Sequence, residues 1–267
     1  MGIVVSNANT DPRVEMAMTI YNSYRIGFHT TKLPKLAESI RVLGDYSRPY
    51  QIFLGNPKSA RFNISEEDVA LSTRVVSVTG ANIFVHSQYI INLCNPPSWQ
   101  VESLRKNLEY ARIIGLKGVV VHVGKSVGKH PGESIMRMRD NILAVLEYAS
   151  VDCPLLLETP AGQGTETLTG MDEFMGFIDS IDDRRFGICV DTCHTFACGH
   201  CPLDYIQRCL SPSPSSRLRL VHFNDSKTEC GSRKDRHEYI GMGHIGIAKM
   251  GDIAELCHSN GIPMVVE

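Results

Sequence analysis

Nine chelating side chains recur in one kind of setting along this 267-residue chain. His86, His122, Glu158, Asp191, His222 and Glu267 each end, or nearly end, a short apolar run. His194, Asp235 and His237 lie just beyond such runs. Five are imidazoles, half of the ten histidines in the sequence, and four are carboxylates. Four carboxylates crowded together repel unless cations neutralise them. Imidazole with carboxylate is the ligand set of zinc, manganese or iron. Nine ligands are too many for one tetrahedral centre and suit two or three ions. The spacings Asp191-x-x-His194 and Asp235-x-His237 let both side chains of each pair reach one centre. A single histidine at a strand end is more often a satisfied polar residue than a ligand. A shared setting for nine such residues makes that bland account a poor one.

The elements that must position these residues follow a repeating pattern. Strand-like runs span Tyr24 to His29, Tyr50 to Leu54, Ile83 to His86, Gly118 to His122, Leu155 to Glu158, Phe186 to Asp191, Leu218 to Phe223 and Met264 to Glu267. Continuous apolar runs such as Val119-Val120-Val121 suit strands buried on both faces of a parallel sheet. Between the runs, Ser98 to Ile114, Gly132 to Tyr148 and Met171 to Ile181 carry apolar residues at helical spacing. Eight strand–helix units predict an α/β fold, a (β/α)8 TIM barrel, with the chelating residues ringing the C-terminal face of the strands. Residues 1–22 read as a flexible lead-in without an assigned role, and residues 23–267 as a single barrel domain. Glu267 closes the sequence and is expected to fray.

Composition narrows the class further. There are 27 Lys+Arg against 29 Asp+Glu, a formal charge of -2, 43% hydrophobic and 21% charged residues. That excludes a disordered or collagen-like chain and a histone-like polyanion binder. No apolar run reaches the roughly 18 residues of a membrane helix, so no membrane association is expected. Nine irregularly spaced cysteines predict free thiols in a reducing, intracellular setting. Cys198-Gly199-His200-Cys201 has C-x-x-C lettering but no thioredoxin-like surroundings, so it reads as a loop–helix junction. Met1-Gly2-Ile3-Val4-Val5-Ser6 fits a myristoylation pattern without a second anchor and reads as lead-in. The Ser/Pro stretch from Ser211 to Ser216 reads as a loop.

Several segments together resemble the endonuclease IV type of apurinic/apyrimidinic (AP) endonuclease. They are Phe84-Val85-His86-Ser87-Gln88-Tyr89-Ile90-Ile91-Asn92-Leu93, Val121-His122-Val123-Gly124, Leu157-Glu158-Thr159-Pro160-Ala161-Gly162-Gln163-Gly164, Cys189-Val190-Asp191-Thr192-Cys193-His194 and His222-Phe223-Asn224-Asp225-Ser226-Lys227, followed by Asp235-Arg236-His237. The resemblance runs from about Gly27 to Glu267. It implies a barrel holding three Zn2+ ions, with Mn2+ as the alternative metal. His86, His122 and Glu158 would hold one ion. Glu158 would bridge to a second, completed by Asp191, His222 and Glu267. His194, Asp235 and His237 would hold the third. The implied reaction cuts the phosphodiester 5′ to an abasic site in duplex DNA, leaving a 3′-hydroxyl and a 5′-deoxyribose phosphate. Glu158 is the expected catalytic centre, with the attacking hydroxide near it. Asp225 is a candidate acceptor for a ligand imidazole. His29 is expected beside the ligands or near phosphate.

Duplex binding needs cationic or N–H contacts to phosphate. Lys125 and Lys129, then Lys227, Arg233, Lys234 and Arg236, fall in loops that would share the metal face. Tyr89 matches the position that probes the gap left by a missing base. Lys58 stands where the family carries a minor-groove Arg, and lacks Arg's planar fork. The DNA-contact set is therefore Lys58, Tyr89, Lys125, Lys227 and Arg236, and a monomer is expected. Two other readings compete. A metal-dependent sugar isomerase would use a related barrel but has no need of Asp235 and His237. A binder of damaged DNA that no longer cuts would follow from a poorly held Glu267.

Overall fold

The computed structural model describes residues 11–62, 64–211 and 217–267. In chain order it runs α1 (Pro12–Ser23), β1 (Gly27–Thr30), α2 (Leu36–Arg41), β2 (Pro49–Phe53), α3 (Glu66–Thr79), β3 (Asn82–His86), α4 (Ser98–Ile114), β4 (Val119–His122), α5 (Pro131–Val145), β5 (Leu155–Glu158), α6 (Met171–Asp179), β6 (Phe186–Asp191), α7 (Thr192–Ala197), α8 (Pro202–Leu210), β7 (Leu218–His222), β8 (Asp225–Ser226), β9 (His237–Glu238), α9 (Ile247–Ser259) and β10 (Met264–Val266). Eight of these strands, all but β8 and β9, form a closed parallel barrel in the order β1-β10-β7-β6-β5-β4-β3-β2. β8 and β9 make a small antiparallel hairpin beyond β7. The fold is a (β/α)8 TIM barrel. No described helix is long and apolar enough to cross a membrane.

The barrel interior explains where the chelating residues stand. Phe84, Val120, Leu156, Cys189, Leu220 and Val265 form one buried layer inside it. Side chains on a strand alternate faces, so the residue two positions on points the same way. Two positions on from these six are His86, His122, Glu158, Asp191, His222 and Glu267. The apolar floor thus dictates that the next inward layer is the polar one. Register refines the pairing: His122 lies opposite Glu158, and Asp191 opposite His222. Closure on the other side relies on Gly27, where a Cβ would sit 1.4 Å from the Pro49 carbonyl oxygen.

Two expectations need correction. The first strand starts at Gly27 rather than Tyr24, because Tyr24 caps α1 and Arg25 turns the chain with a φ of 50°. The lead-in reading of residues 1–22 also fails from residue 11 onward. Asp11 accepts the Arg13 amide at 2.9 Å and Pro12 opens the helix, a sound N-terminal signal. α1 then packs beside α9. Ile20 is buried 3.7 Å from where a Cβ on Gly251 would lie, and Tyr24 meets the His258 ring edge-on at 5.5 Å. Arg48, just before β2, donates to the carbonyls of Tyr21 and Ile26. In a (β/α)8 barrel each helix normally covers the seam after its own strand; here α1, which precedes β1, flanks the β10–β1 seam. The myristoylation pattern and residues 212–216 of the Ser/Pro stretch lie outside the described residues.

Candidate metal centre

All nine sequence-picked chelating residues meet at the C-terminal mouth of the barrel. Ligand atoms of His86, His122 and Glu158 lie within 4.8 Å of one another, as do those of Glu158, Asp191, His222 and Glu267, and those of His194, Asp235 and His237. Glu158 joins the first two groups, one oxygen to each. Its Oε2 is 3.2 Å from His86 Nε2 and 3.1 Å from His122 Nε2. Its Oε1 is 3.1 Å from His222 Nδ1. Asp191 joins the second group to the third: its Oδ2 is 3.7 Å from His222 Nδ1 and 3.6 Å from His237 Nε2. Asp235 lies 3.3 Å from His194 Nε2 and 3.1 Å from His237 Nε2.

Local structure accounts for several of these orientations. Asp191 caps α7 by accepting the His194 amide at 2.8 Å, which sets His194 one turn further on; this is the physical content of the D-x-x-H spacing. His86 Nδ1 donates to the Ser87 carbonyl at 2.7 Å, leaving Nε2 to face Glu158. His194 Nδ1 donates to the Thr159 carbonyl at 2.9 Å, leaving Nε2 for the third group. Asp191 also accepts from Asn224 Nδ2 at 2.8 Å, and Asn224 Oδ1 takes the Glu267 amide at 2.9 Å. Glu267 does not fray: its side chain is 13% exposed although the residue as a whole is exposed. The second ring nitrogens of His86 and His194 and the second oxygen of Asp191 are thus committed to fixed partners, as those of metal ligands usually are.

Charge sharpens the picture. Glu158 is 1% exposed, and Asp191 and His222 are fully buried. Burial pushes the Glu158 carboxyl up, yet His122 and His222 outweigh it and hold it well below its ordinary value. Burial likewise opposes ionisation of Glu267, and His222 and His29 overcome it. Burial pulls His194 down, but Asp191 and Asp235 leave it well above the usual imidazole value. Burial is also overcome at His222, by Cys189, Glu267 and Glu158. Buried anions therefore demand positive charge here, and protons on imidazoles are one way to meet the demand. Divalent cations are the other. His237 Nε2, buried and without a hydrogen bond between two carboxylates, fits a cation better than a proton. The donor set of imidazole and carboxylate suits zinc or manganese.

The remaining assignments separate. Asp225 does not orient an imidazole; its carboxylate accepts the amides of Ser226, Gly243, Ile245 and Gly246 and shapes the loop before α9. His29 sits beside a ligand, Nδ1 3.1 Å from Glu267 Oε1. Tyr89 is half exposed, stacks 5.5 Å from the His122 ring and lies edge-on to Phe53 and His86. Its amide donates to the Pro57 carbonyl at 3.0 Å, which ties it to the exposed Lys58 loop. Lys125 pairs with Glu166 at 3.4 Å, and Lys227 with Glu238 at 3.6 Å across the β8–β9 hairpin. Arg236 is exposed on that hairpin and donates to the Asp235 carbonyl. All nine cysteines are free. Cys198 donates to the Pro160 carbonyl at 3.1 Å, and burial pushes it up to about 11, the opposite of a redox thiol. Cys193 lies within ligand reach of Asp191 and His237, but burial pushes it up to about 12 and it donates to the Arg236 carbonyl. Two contributors escape the sequence reading, Gln51 and Asn224. Gln51 has a signal: it is the one amide inside the apolar run Tyr50 to Leu54.

Comparison with known proteins places the chain in a family. A family model described as a xylose isomerase-like TIM barrel matches residues 50–267. The probable endonuclease 4 of Symbiobacterium thermophilum is 34% identical over 244 residues, 88% of either chain. The chain belongs to the endonuclease IV family. A further endonuclease IV relative, the probable endonuclease 4 of Staphylococcus epidermidis, is 32% identical over 230 residues, 82% of this chain and 77% of that protein. Among solved structures, endonuclease IV from Thermus thermophilus superposes with a TM-score of 0.78 at 26% identity over 91% of each chain. A D-tagatose 3-epimerase-like protein reaches 0.70 at 17% identity over 90% of each chain, a likeness of fold alone.

Proposed function

We propose that this chain is a metal-dependent AP endonuclease that hydrolyses the phosphodiester 5′ to an abasic site in duplex DNA. The observation that carries the reading is Glu158, buried between two ligand groups with one carboxylate oxygen in each, and linked through Asp191 to a third. The three groups would hold three Zn2+ ions, with Mn2+ as the other candidate. Bound there, the ions would supply a nucleophilic water at neutral pH and neutralise phosphate charge. The displaced bond is P–O3′, so the products are a 3′-hydroxyl and a 5′-deoxyribose phosphate.

The chain's own residues do the positioning. Glu158 fixes the spacing of the first two groups. Ser87 and Thr159 carbonyls hold His86 and His194 before substrate arrives, so little reorganisation is left to the reaction. Tyr89 presents a flat ring over His122 that can fill the space of a missing base. Lys58 contacts phosphate as a point charge. Lys125 and Lys227 exchange Glu166 and Glu238 for phosphate, and Arg236 extends the same rim. Abasic nucleotides unstack cheaply, which favours them over intact ones. The third group, His194 with Asp235 and His237, weighs against a sugar isomerase, whose chemistry does not call for it. We take the chain to act as an intracellular monomer.

The test is incision of a duplex bearing one tetrahydrofuran abasic analogue, before and after chelation. The analogue cannot undergo elimination, so a nick means hydrolysis. A chelator-sensitive nick leaving a 3′-hydroxyl is expected. A zinc-loaded chain that binds this duplex without nicking it would leave only the damaged-DNA binder.

A further inference from the structure

Strand β2 supplies none of the nine chelating side chains, yet it sends one polar group into the barrel. Gln51 is 0% exposed and stands in register with His29 on β1 and Phe84 on β3. Both ends of its amide are used. Oε1 lies 2.9 Å from His222 Nε2, and Nε2 lies 2.7 Å from Glu267 Oε1 and 3.1 Å from His29 Nδ1. A carboxylate accepts and cannot donate, so Glu267 must take the amide N–H. The amide oxygen therefore faces His222, and His222 donates to it from Nε2. That leaves Nδ1 as the nitrogen turned toward Glu158 and Glu267, at 3.1 Å from each.

We propose that Gln51 is the positioning residue of the second ligand group. It selects Nδ1 of His222 as the ligating nitrogen and holds Glu267 in place beside it. The proposal rests on the metal reading above and adds a strand that contributes no ligand. The side-chain type is specific to the task. A carboxylate at this position accepts from His222 but repels Glu267. An ammonium donates to Glu267 but cannot accept from His222. A primary amide does both. A hydrocarbon does neither, and leaves the orientation of the His222 ring and of Glu267 unset.

The experiment uses the full chain, stripped with chelator and reloaded at graded free zinc, as wild type, Gln51→Leu and Gln51→Glu. Elemental analysis counts ions per chain. Nitrogen-15 spectra of the zinc-loaded protein look for a slowly exchanging His222 Nε2–H. Gln51→Leu should weaken uptake of one ion by roughly 10- to 100-fold, the usual effect of removing an outer partner, with the other ions loading as in wild type. The Nε2–H signal should vanish. Gln51→Glu should weaken the same ion but keep the signal. Wild-type uptake with the signal intact in Gln51→Leu overturns the proposal. Should Gln51→Leu not fold, unchanged uptake by Gln51→Glu overturns it. A wild-type chain that takes up no zinc overturns the metal reading beneath it, a separate result read from the wild type alone.

Discussion

Glu158 ends β5 and Lys125 follows the adjacent β4, yet they are held in very different ways. Glu158 is 1% exposed and its two oxygens face four imidazoles at 3.1 to 3.3 Å. Lys125 has a side chain 48% exposed, and a single ion pair of 3.4 Å engages its ammonium. An ionised carboxylate that loses its partners in the interior costs several kcal/mol. An exposed pair contributes about 0–1 kcal/mol. The buried well should therefore respond to substitution almost all at once, whereas the rim should respond in small, additive steps.

The strongest way to break the comparison is at Glu158. Glu158→Gln should lower the cleavage rate by roughly a thousandfold or more, past the 10- to 100-fold typical of residues that only support a ligand. Binding to abasic duplex should remain measurable by gel shift. Near-normal turnover would remove the bridging role.

Proton competition sharpens the same contrast. His194 and His222 are held well above the ordinary imidazole value, so in the metal-free chain they keep their protons to higher pH. A metal must displace those protons. Zinc loading should thus strengthen as pH rises through the raised values and fade as pH falls. The linkage to stability has the opposite slope in the stripped protein. Raised imidazoles stabilise it fully below about 6.5, their unfolded value, and that contribution is lost as pH rises through the folded values. Glu158 and Glu267, held low, contribute above about 4.3 and lose it as pH falls. The stripped chain should melt highest between those limits. The gap between loaded and stripped melting temperatures should widen from pH 6 to pH 8; a constant gap would contradict this.

The rim should give smaller effects. Tyr89→Ala should lose about tenfold in preference for abasic over intact duplex, in the range of one aromatic stacking contact. Lys58→Ala should weaken abasic-duplex binding by several-fold and reduce the salt slope by about one, with bound-state cleavage little changed. Unchanged affinity would take Lys58 off the contact surface. Lys125→Ala should matter least, because its phosphate contact replaces an existing pair with Glu166; an effect larger than that of Lys58→Ala would reverse the assignment.

What is legible in the sequence follows the same division. The chelating residues are readable because their types are unusual at the ends of apolar runs and because period-two alternation turns them inward. Glu267 looks fragile as the last residue, but Gln51, His29 and Asn224 hold it, and contacts from that far along the chain leave no local trace. Asp225 reads as a partner for imidazole because its type permits that, whereas backbone amides of the following loop claim it. The helix Pro12–Ser23 escapes the sequence reading because much of its apolar surface remains exposed, at Val14, Met16 and Met18, so it shows little periodicity. Asp11-Pro12 is its start signal.

The position of α1 has a consequence for how the chain comes to be folded. It leaves the ribosome well before its neighbour α9. Ile20 cannot reach Gly251 until nearly all of the sequence between them exists. Long-range pairings of this kind raise contact order and slow folding. Until β10 emerges, the nascent barrel is an open sheet with β1 as an unpaired edge, and α1 carries an apolar face with nothing to cover it. Barrel closure should therefore come in one late, concerted step, in which β10 pairs with β1 and α9 covers α1.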